Sequence, residues 1–484
     1  MDRFRDPDEL VRVVGDRMSS RGALYRQLAA ALADAISAGE LVAGDRLPSE
    51  RDLARALHLS RATVVAAYDE LRGRGLVESR QGSGSRVAAP DDRGPAAVTR
   101  RLRRGLSAEA VRRLDETPDG LISMRHAVEP GDPRIASAVA EVVEEDLPTL
   151  LDEIGYTPRG LPALRTALAE HHTRLGLATT PDQILVTTGT QQALSLVAQL
   201  LLERGATVAV ESPSWPGCFD TFSAVGARMV GVGLDEEGPR VDLLRAALAQ
   251  QPVSALFVMP TFHNPTGLLT SAARRRAVAR VAAEHGLAIV EDHGYSTPLT
   301  AAGPLPPPIA AYAPRAGRVF TVGSLSKSLW AGLRLGWVRA SAADIDRLGY
   351  LKANADMGTP LLDQAVATRL LPDLAGLVED RTAAALDRLA HATTLLRERL
   401  PDWTWRAPDG GTALWIRLPG YDAGVLARVA LRHGVEVTPG RETDLTGAWD
   451  DHLRLPFTFE PTLMAEAVRR LAAAADELSG HSGS

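Results

Sequence analysis

The hydrophobic positions follow two different patterns, one before residue 90 and another after residue 120. In the first part, Leu24, Leu28, Leu32 and Ile36 recur every four residues, and the run stops at Gly39. This spacing predicts an amphipathic helix. The folded part of the chain is therefore expected to begin with a helix that buries one apolar face.

Two shorter helices and a hairpin are predicted next. Ser49 followed by Asp52 has the form of a capping box, and Ser60 is a second N-cap. The helix after Ser60 points three side chains inward: Val64, Tyr68 and Leu71. Two short strands, 76–80 and 85–88, flank a glycine-containing turn. Capped helices joined by a tight turn and followed by a hairpin are typical of a winged helix-turn-helix, whose second helix presents its N-terminal residues to the major groove of DNA.

After residue 120, apolar strand-like runs alternate with helical stretches. The runs lie at 184–187, 207–210, 255–258, 288–290 and 319–322, and the helical stretches include 191–202, 241–249 and 271–285. Alternation of this kind predicts βαβ units and an α/β fold with a mainly parallel sheet. Ligands of such sheets bind at the carboxyl ends of the strands. The predicted domains are 20–88 and 121–478, joined by the linker 89–120.

The linker is rich in proline, glycine and arginine. One interpretation is a basic tether that adds non-specific DNA affinity through phosphate contacts. The other is a solvated charged connection with no role of its own. The pattern favours neither.

Composition narrows the classes of protein. The hydrophobic share is 45% and the charged share 24%, as in an ordinary globular protein. The net charge of −6 means that DNA contact must come from a local basic patch. A single cysteine, Cys218, excludes an internal disulfide and a Cys-based zinc site. With no membrane-length apolar run and no apolar signal core at the N-terminus, we expect a cytoplasmic protein without a metal site.

The basic residues point to one unusual stretch. Of 54 lysines and arginines, only Lys327 and Lys352 are lysines. Lys327 follows the predicted strand 319–322, lies between two serines, and precedes Arg334 by seven residues. A lysine amine can form a Schiff base, whereas a guanidinium cannot. Hydroxyls and an arginine nearby suit a phosphate. The stretch therefore suggests a lysine that holds pyridoxal phosphate, although a surface lysine in a serine-rich loop is the alternative.

The other strand ends carry the remaining groups that such a cofactor needs. Gly189, Thr190 and Gln191 form a glycine turn at a helix start, which suits an anion. The later strand ends supply an aromatic ring, an amide, a carboxylate with a phenol, and a hydroxyl beside the lysine: Trp215, Asn264, Asp292 with Tyr295, and Ser324. Any one of these residues alone is more often structural. Together and in order they predict a cofactor site.

Residues 22–88 resemble the GntR family of bacterial regulators. The matching motifs are Leu-Pro-Ser-Glu-Arg-Asp-Leu-Ala at 47–54, Ser-Arg-Ala-Thr-Val at 60–64 and Gly-Leu-Val-Glu-Ser-Arg-Gln-Gly-Ser-Gly at 75–84. The resemblance, with the position of the second helix, implies DNA contacts from Arg51, Ser60, Arg61, Thr63 and Gly82.

Residues 120–475 resemble the fold-type I aminotransferases. The motifs are Asn264-Pro-Thr-Gly, Asp292-x-x-Tyr295, Ser324-x-x-Lys327 and Gly-Leu-Arg334. The resemblance implies that Lys327 is the Schiff-base lysine and that Asp292 faces the pyridine nitrogen. It assigns the ring oxygen to Asn264 and Tyr295 and ring stacking to Trp215. It also assigns the phosphate to Gly189, Thr190, Gln191, Ser324 and Arg334. Arg454 would grip a substrate carboxylate, and Tyr156 would reach the phosphate of a second subunit, which implies a homodimer.

The two parts in this order resemble the MocR subfamily of GntR-type regulators. The first hypothesis is a transcriptional regulator that binds double-stranded DNA with two half-sites and uses pyridoxal 5'-phosphate as effector or sensor cofactor. An amino acid or amine is a possible second effector. The second hypothesis is a working aminotransferase that carries a DNA-binding module. The third is a cofactor-free domain kept for dimerisation, which the joint presence of Lys327, Asp292 and Arg334 disfavours.

Overall fold

A computed structural model describes residues 10–11, 24–37, 40–42, 44–57, 59–73, 76–80, 84–87, 118, 120–127, 129–294, 297–300, 304–315 and 317–481. The chain divides into two compact units, Met1–Gly105 and Leu106–Ser484. Two predicted site residues, Gly82 and Tyr295, lie outside the described residues, as does nearly all of the predicted linker 89–120.

The N-terminal unit contains three helices and a hairpin. Helices α1, α2 and α3 span Leu24–Ser37, Glu50–Ala56 and Arg61–Gly73, and strand β1 (Val77–Arg80) pairs antiparallel with β2 (Gly84–Val87). The apolar residues of the three helices share one core, which includes Leu28, Leu32, Leu53, Val64, Tyr68 and Leu71. Leu24 is 51% exposed, so the buried stripe of α1 begins one turn later than the four-residue spacing suggests.

Both predicted N-caps are confirmed. The Ser49 hydroxyl accepts the Asp52 amide N–H at 3.2 Å, and the Ser60 hydroxyl accepts the Thr63 amide N–H at 3.1 Å. Each bond satisfies one of the amide groups that a helix start leaves without an intrahelical partner. The buried Tyr68 hydroxyl donates to the Pro48 carbonyl at 3.1 Å, which ties α3 to the turn before α2.

The larger unit alternates helices with strands, as predicted. Its helices are α4 (Arg134–Glu141), α5 (Leu147–Leu151), α6 (Pro162–Arg174), α7 (Thr190–Leu201), α8 (Pro216–Ala224), α9 (Val241–Gln250), α10 (Ala272–Glu284), α11 (Ala342–Asp356), α12 (Leu361–Leu370), α13 (Leu374–Arg399), α14 (Ala423–Arg432) and α15 (Pro461–His481). A π-helical turn, Val142–Asp146, joins α4 to α5, and 3-10 turns lie at Pro181–Gln183, Ile309–Ala311, Ala331–Leu333, Leu371–Asp373 and Gly440–Glu442.

Its principal sheet has eight strands. They are β4 (Ile184–Thr187), β5 (Thr207–Ser212), β6 (Arg228–Asp235), β7 (Gly238–Pro239), β8 (Ala255–Val258), β9 (Ala288–His293), β10 (Val319–Ser324) and β11 (Gly336–Arg339), in the spatial order β4-β11-β10-β9-β8-β5-β6-β7. The five strands from β10 to β6 are parallel, whereas β11 is antiparallel to both of its neighbours. The predicted mainly parallel α/β fold is confirmed. Because the central strands are covered by apolar clusters on both faces, they are almost continuously hydrophobic.

A smaller C-terminal sheet completes this unit. Strands β12 (Thr404–Trp405), β13 (Ala413–Arg417), β15 (Thr438–Pro439) and β16 (His452–Pro456) form it, and β14 (Val435–Glu436) pairs with β3 (Ile122–Ser123). Helices α13, α14 and α15 contribute to its core. Among the described residues, no helix is long and apolar enough to cross a lipid bilayer.

Candidate functional site

A cavity of about 570 Å³ lies at the carboxyl ends of the parallel strands. Nine of the predicted site residues line it: Thr190, Gln191, Trp215, Asn264, Asp292, Ser324, Lys327, Arg334 and Arg454. Seven of them follow or end strands of the principal sheet, and these converge because parallel strands end at the same edge of the sheet. Arg334 precedes the antiparallel strand β11, and Arg454 comes from β16 of the small C-terminal sheet. Tyr156 does not line this cavity within its own chain, and its side chain is 62% exposed.

One end of the cavity is suited to an anion. Gly189 is the N-cap of α7 and has φ +107°, a conformation that favours glycine. The Arg334 guanidinium donates to the Thr188 carbonyl at 2.7 Å, and a Cβ added to Gly189 would lie 3.0 Å from Arg334 Nη2. The start of the twelve-residue helix α7 and the Arg334 guanidinium therefore lie next to each other, and both favour a phosphate at this point.

Lys327 and Lys352 have different environments. Lys327 Nζ faces the cavity and donates to the Ala127 carbonyl oxygen at 2.7 Å. Lys352 is fully buried in α11, where it forms an ion pair with Asp356 and a hydrogen bond to Gln192. Only Lys327 of the two lysines is therefore placed to react with a ligand in the cavity.

Asp292 supplies a buried carboxyl at the floor of the cavity. One of its oxygens accepts the Gly294 amide N–H at 2.8 Å. Burial raises the pKa of this carboxyl from 3.8 to about 7, and the Gly294 hydrogen bond opposes the rise. A protonated ring nitrogen beside Asp292 would compensate the buried negative charge. The set of an amine, a carboxyl, an aromatic ring and an anion-binding helix end fits pyridoxal phosphate.

This burial predicts a pH-dependent stability. Because the folded pKa exceeds the unfolded value, the contribution of Asp292 to the free energy of unfolding falls as pH rises from about 4 to about 7 and is level above that. Without cofactor, Asp292→Asn should remove this loss and stabilise the protein at pH 8 by about 1 to 4 kcal/mol. Denaturant unfolding at the two ends of this range measures the effect. The exposed Asp402→Asn variant is the control, and a stability gain independent of pH would contradict the prediction.

The Trp215 indole packs over Gly217 at the start of α8. A Cβ at Gly217 would lie 2.2 Å from a carbon of the Trp215 indole, so the indole occupies space that only a glycine leaves open. Trp215 lines the cavity as predicted. The role of Gly217 was not predicted, because Pro-Gly after a strand has the same pattern as an ordinary turn.

Arg454 and Asn264 contact each other, which the sequence pattern did not indicate. Arg454 Nε donates to the Asn264 side-chain oxygen at 2.9 Å, and Arg454 Nη1 donates to the Arg125 carbonyl at 3.0 Å. Arg454 is only 6% exposed and forms no ion pair with any described residue. A buried guanidinium without a carboxylate partner is a suitable anchor for the carboxylate of a ligand.

Two other predicted phosphate ligands already have partners within the protein. The Gln191 side chain donates to the Thr221 hydroxyl at 2.7 Å, and the Ser324 hydroxyl bonds to Ser326 Oγ at 3.0 Å and the Leu335 carbonyl at 3.1 Å. These bonds hold both side chains at the wall of the cavity. The predictions missed several other lining residues, among them Arg125, His126, Asp220 and Thr438, because these carry no motif and reach the cavity only through tertiary packing.

The N-terminal unit carries the predicted DNA-contact residues at its surface. Arg51 in α2 and Arg61 at the start of α3 are exposed, and neither forms an ion pair with a described residue. The Ser60 hydroxyl lies 2.8 Å from the Thr63 hydroxyl beside the start of α3. Two guanidinium groups without ion-pair partners and an exposed helix start suit contacts with phosphates and base edges.

Comparison with protein families shows which class of protein this chain belongs to. Residues 24–87 match the bacterial regulatory proteins of the GntR family, and residues 146–471 match aminotransferase class I and II. The protein is therefore a GntR-type DNA-binding domain joined to an aminotransferase-like domain, the fold that uses pyridoxal 5'-phosphate as its cofactor.

Comparison with individual proteins shows the subfamily within this class. The chain is 30% identical over 410 residues to the HTH-type transcriptional regulator YisV of Bacillus subtilis, covering 81% of this chain and 84% of that protein. It is 30% identical over 433 residues to the probable rhizopine catabolism regulatory protein MocR of Rhizobium meliloti, covering 86% of each. The aminotransferase LysN of Thermus thermophilus, solved with N-(5'-phosphopyridoxyl)-L-leucine, superposes with a TM-score of 0.69 at 30% identity, covering 78% of this chain and 97% of LysN. The chain belongs to the MocR subfamily of GntR-type transcriptional regulators.

Proposed function

We propose that pyridoxal 5'-phosphate bound in the cavity around Lys327 is the effector or sensor cofactor of this regulator. The observation that carries the proposal is the convergence of nine predicted residues on one cavity in a chain that also carries a DNA-binding domain. A domain kept only for dimerisation has no need of a buried carboxyl, a lysine amine that faces the cavity and an anion site in one place.

The predicted residues would share the tasks of holding this cofactor. Bound pyridoxal phosphate supplies a reactive aldehyde and an electron-withdrawing ring. Lys327 would hold it covalently, and Asp292 would keep a proton at the ring nitrogen. Trp215 covers one face of the ring, and Asn264 binds the ring oxygen with the amide N–H groups that its contact with Arg454 leaves available. Gly189, Thr190, Gln191, Ser324 and Arg334 would bind the phosphate, and Tyr295 would complete the contacts to the ring oxygen.

Arg454 provides the site for a second effector. Its guanidinium is buried beside Asn264 and has no carboxylate partner among the described residues. The carboxylate of an amino acid would compensate this charge while its amine faces Lys327. An amino acid is therefore favoured over a simple amine, which would leave the guanidinium uncompensated.

A homodimer would complete the site. Tyr156 is exposed and follows two other exposed apolar side chains, Leu151 and Ile154. Exposed apolar residues in one short segment favour an interface between protein chains. Two subunits would also present two DNA-binding domains, which matches an operator with two half-sites. A cytoplasmic location is consistent with binding to DNA.

Catalysis by the same cavity is the second candidate function, because the amine, carboxyl and carboxylate anchor of an aminotransferase are all present. Turnover with amino-acid and keto-acid pairs tests it directly. The two functions differ in whether the cofactor is expected to change the affinity of the protein for DNA.

We expect pyridoxal phosphate to change operator affinity or half-site preference of the wild-type protein, and Lys327→Ala to reduce that change. A ligand can shift a conformational balance only through different affinities for the two conformations, so the covalent attachment should contribute to the shift. DNA titrations at fixed salt, with and without cofactor, measure it for both proteins. Equal affinity and footprint in all four conditions, together with turnover by the wild type, would favour the enzyme.

A further inference from the structure

A second cavity, of about 510 Å³, lies on the other side of the Asn264–Gly267 turn and shares no lining residue with the lysine cavity. Its walls come from the end of β6, the segment Thr266–Leu268 and the small C-terminal sheet. Its size lies within the range of small-molecule sites in proteins. None of the tasks assigned above uses it.

Aromatic rings form the wall of this cavity on the side of the small sheet. Trp405, Trp415, Trp449 and His452 line it. The Trp415 and His452 rings stack at 5.2 Å with an angle of 24°, and Trp449 meets His452 edge-on at 4.7 Å. Three of the seven tryptophans of the chain are therefore gathered around one cavity. Indole faces attract cations through the ring quadrupole.

The charged residues at the rim decide the sign of the ligand. Arg406 is paired with Asp409, Arg417 with Asp451, and Asp235 with Arg274. Glu236 is exposed, lines the cavity and forms no ion pair with any described residue. Among the residues that line the cavity, the Glu236 carboxylate is then the one charge without an ion-pair partner. An anion would meet that charge, whereas a cation would be attracted both by Glu236 and by the indole rings.

The cavity thus combines an aromatic wall with one uncompensated carboxylate.

We propose that this cavity binds a small organic cation that carries an ammonium group and an apolar body. The ligand would contact both the end of β6 in the eight-stranded sheet and the small C-terminal sheet. Trp415 is opposite Arg454 in the β13–β16 register, and His452 lies two residues from Arg454, so these three side chains share one face of the small sheet. A ligand here is therefore positioned to affect the anchor residue of the lysine cavity.

Choline is the test ligand, because its quaternary nitrogen cannot react with an aldehyde or displace Lys327. Its control is the uncharged isostere in which carbon replaces the nitrogen. Calorimetric titration of the full-length, cofactor-loaded protein should show choline binding at least about tenfold more tightly than the isostere. Glu236→Gln should weaken choline about threefold to tenfold and leave the isostere unchanged, and Trp449→Leu should weaken choline about tenfold.

The exposed Glu203→Gln variant is the matched charge control and should bind choline within about twofold of the wild type. Because Glu236 is exposed, its replacement should leave the melting temperature unchanged, so a change in affinity reports on the cavity. Absence of choline binding, equal binding of the isostere, or an unchanged affinity in Glu236→Gln would each overturn the proposal.

Discussion

Replacement of Lys327 by alanine is expected to abolish covalent attachment of pyridoxal phosphate completely. Lys327 Nζ is the amine that faces the cavity, whereas Lys352 is buried in an ion pair with Asp356. After borohydride reduction, mass spectrometry should find the cofactor on the Lys327 peptide of the wild type. The alanine variant should carry none and should lose the visible absorbance of the lysine-bound cofactor.

Lys327→Arg is the matched control. An arginine retains the positive charge and can still donate to the Ala127 carbonyl, but it cannot form the covalent bond. It should therefore lose attachment as fully as the alanine variant while keeping the thermal stability of the wild type. Cofactor trapped on the Lys352 peptide in any of these proteins would show that the assignment is wrong.

The second large effect is expected from Arg61→Ala in the DNA-binding domain. Arg61 is exposed at the start of α3, next to the Ser60 cap. A bidentate contact from this position to a base would contribute about 1 to 3 kcal/mol, which is about fivefold to 150-fold in affinity. Binding should be measured on an operator enriched from random DNA by the wild-type protein, and on random-sequence DNA at the same salt concentration.

Arg61→Lys separates the two kinds of contact. A lysine keeps a charge for phosphate but lacks the planar pair of donors that reads a guanine. If Arg61 contacts a base, both variants lose affinity for the operator, and their affinity for random-sequence DNA falls much less. If Arg61 contacts only phosphate, the lysine variant binds nearly as the wild type does, and the alanine variant is weakened equally on both DNAs.

Some of the structural features behind these predictions can be read from the sequence, and others cannot. Caps such as Ser49 and Ser60 involve residues three positions apart, and strand or helix periods are equally local. For this reason the helix starts, the alternating pattern and the mainly parallel sheet were all predictable. The cavity residues at strand ends were predictable too, because parallel strands bring their carboxyl ends to one edge whatever their spatial order.

Only the tertiary structure decided which distant side chains meet. Arg454 and Asn264 are 190 positions apart, and Lys327 finds its acceptor at Ala127, 200 positions away. The cavity lined by Trp415 exists because β13 and β16 pair in one register and pack against the end of β6. Periodicity along the chain assigns a residue to a face of its own element. It carries no information about which other element covers that face, because strand order, register and packing depend on contacts between segments far apart in sequence.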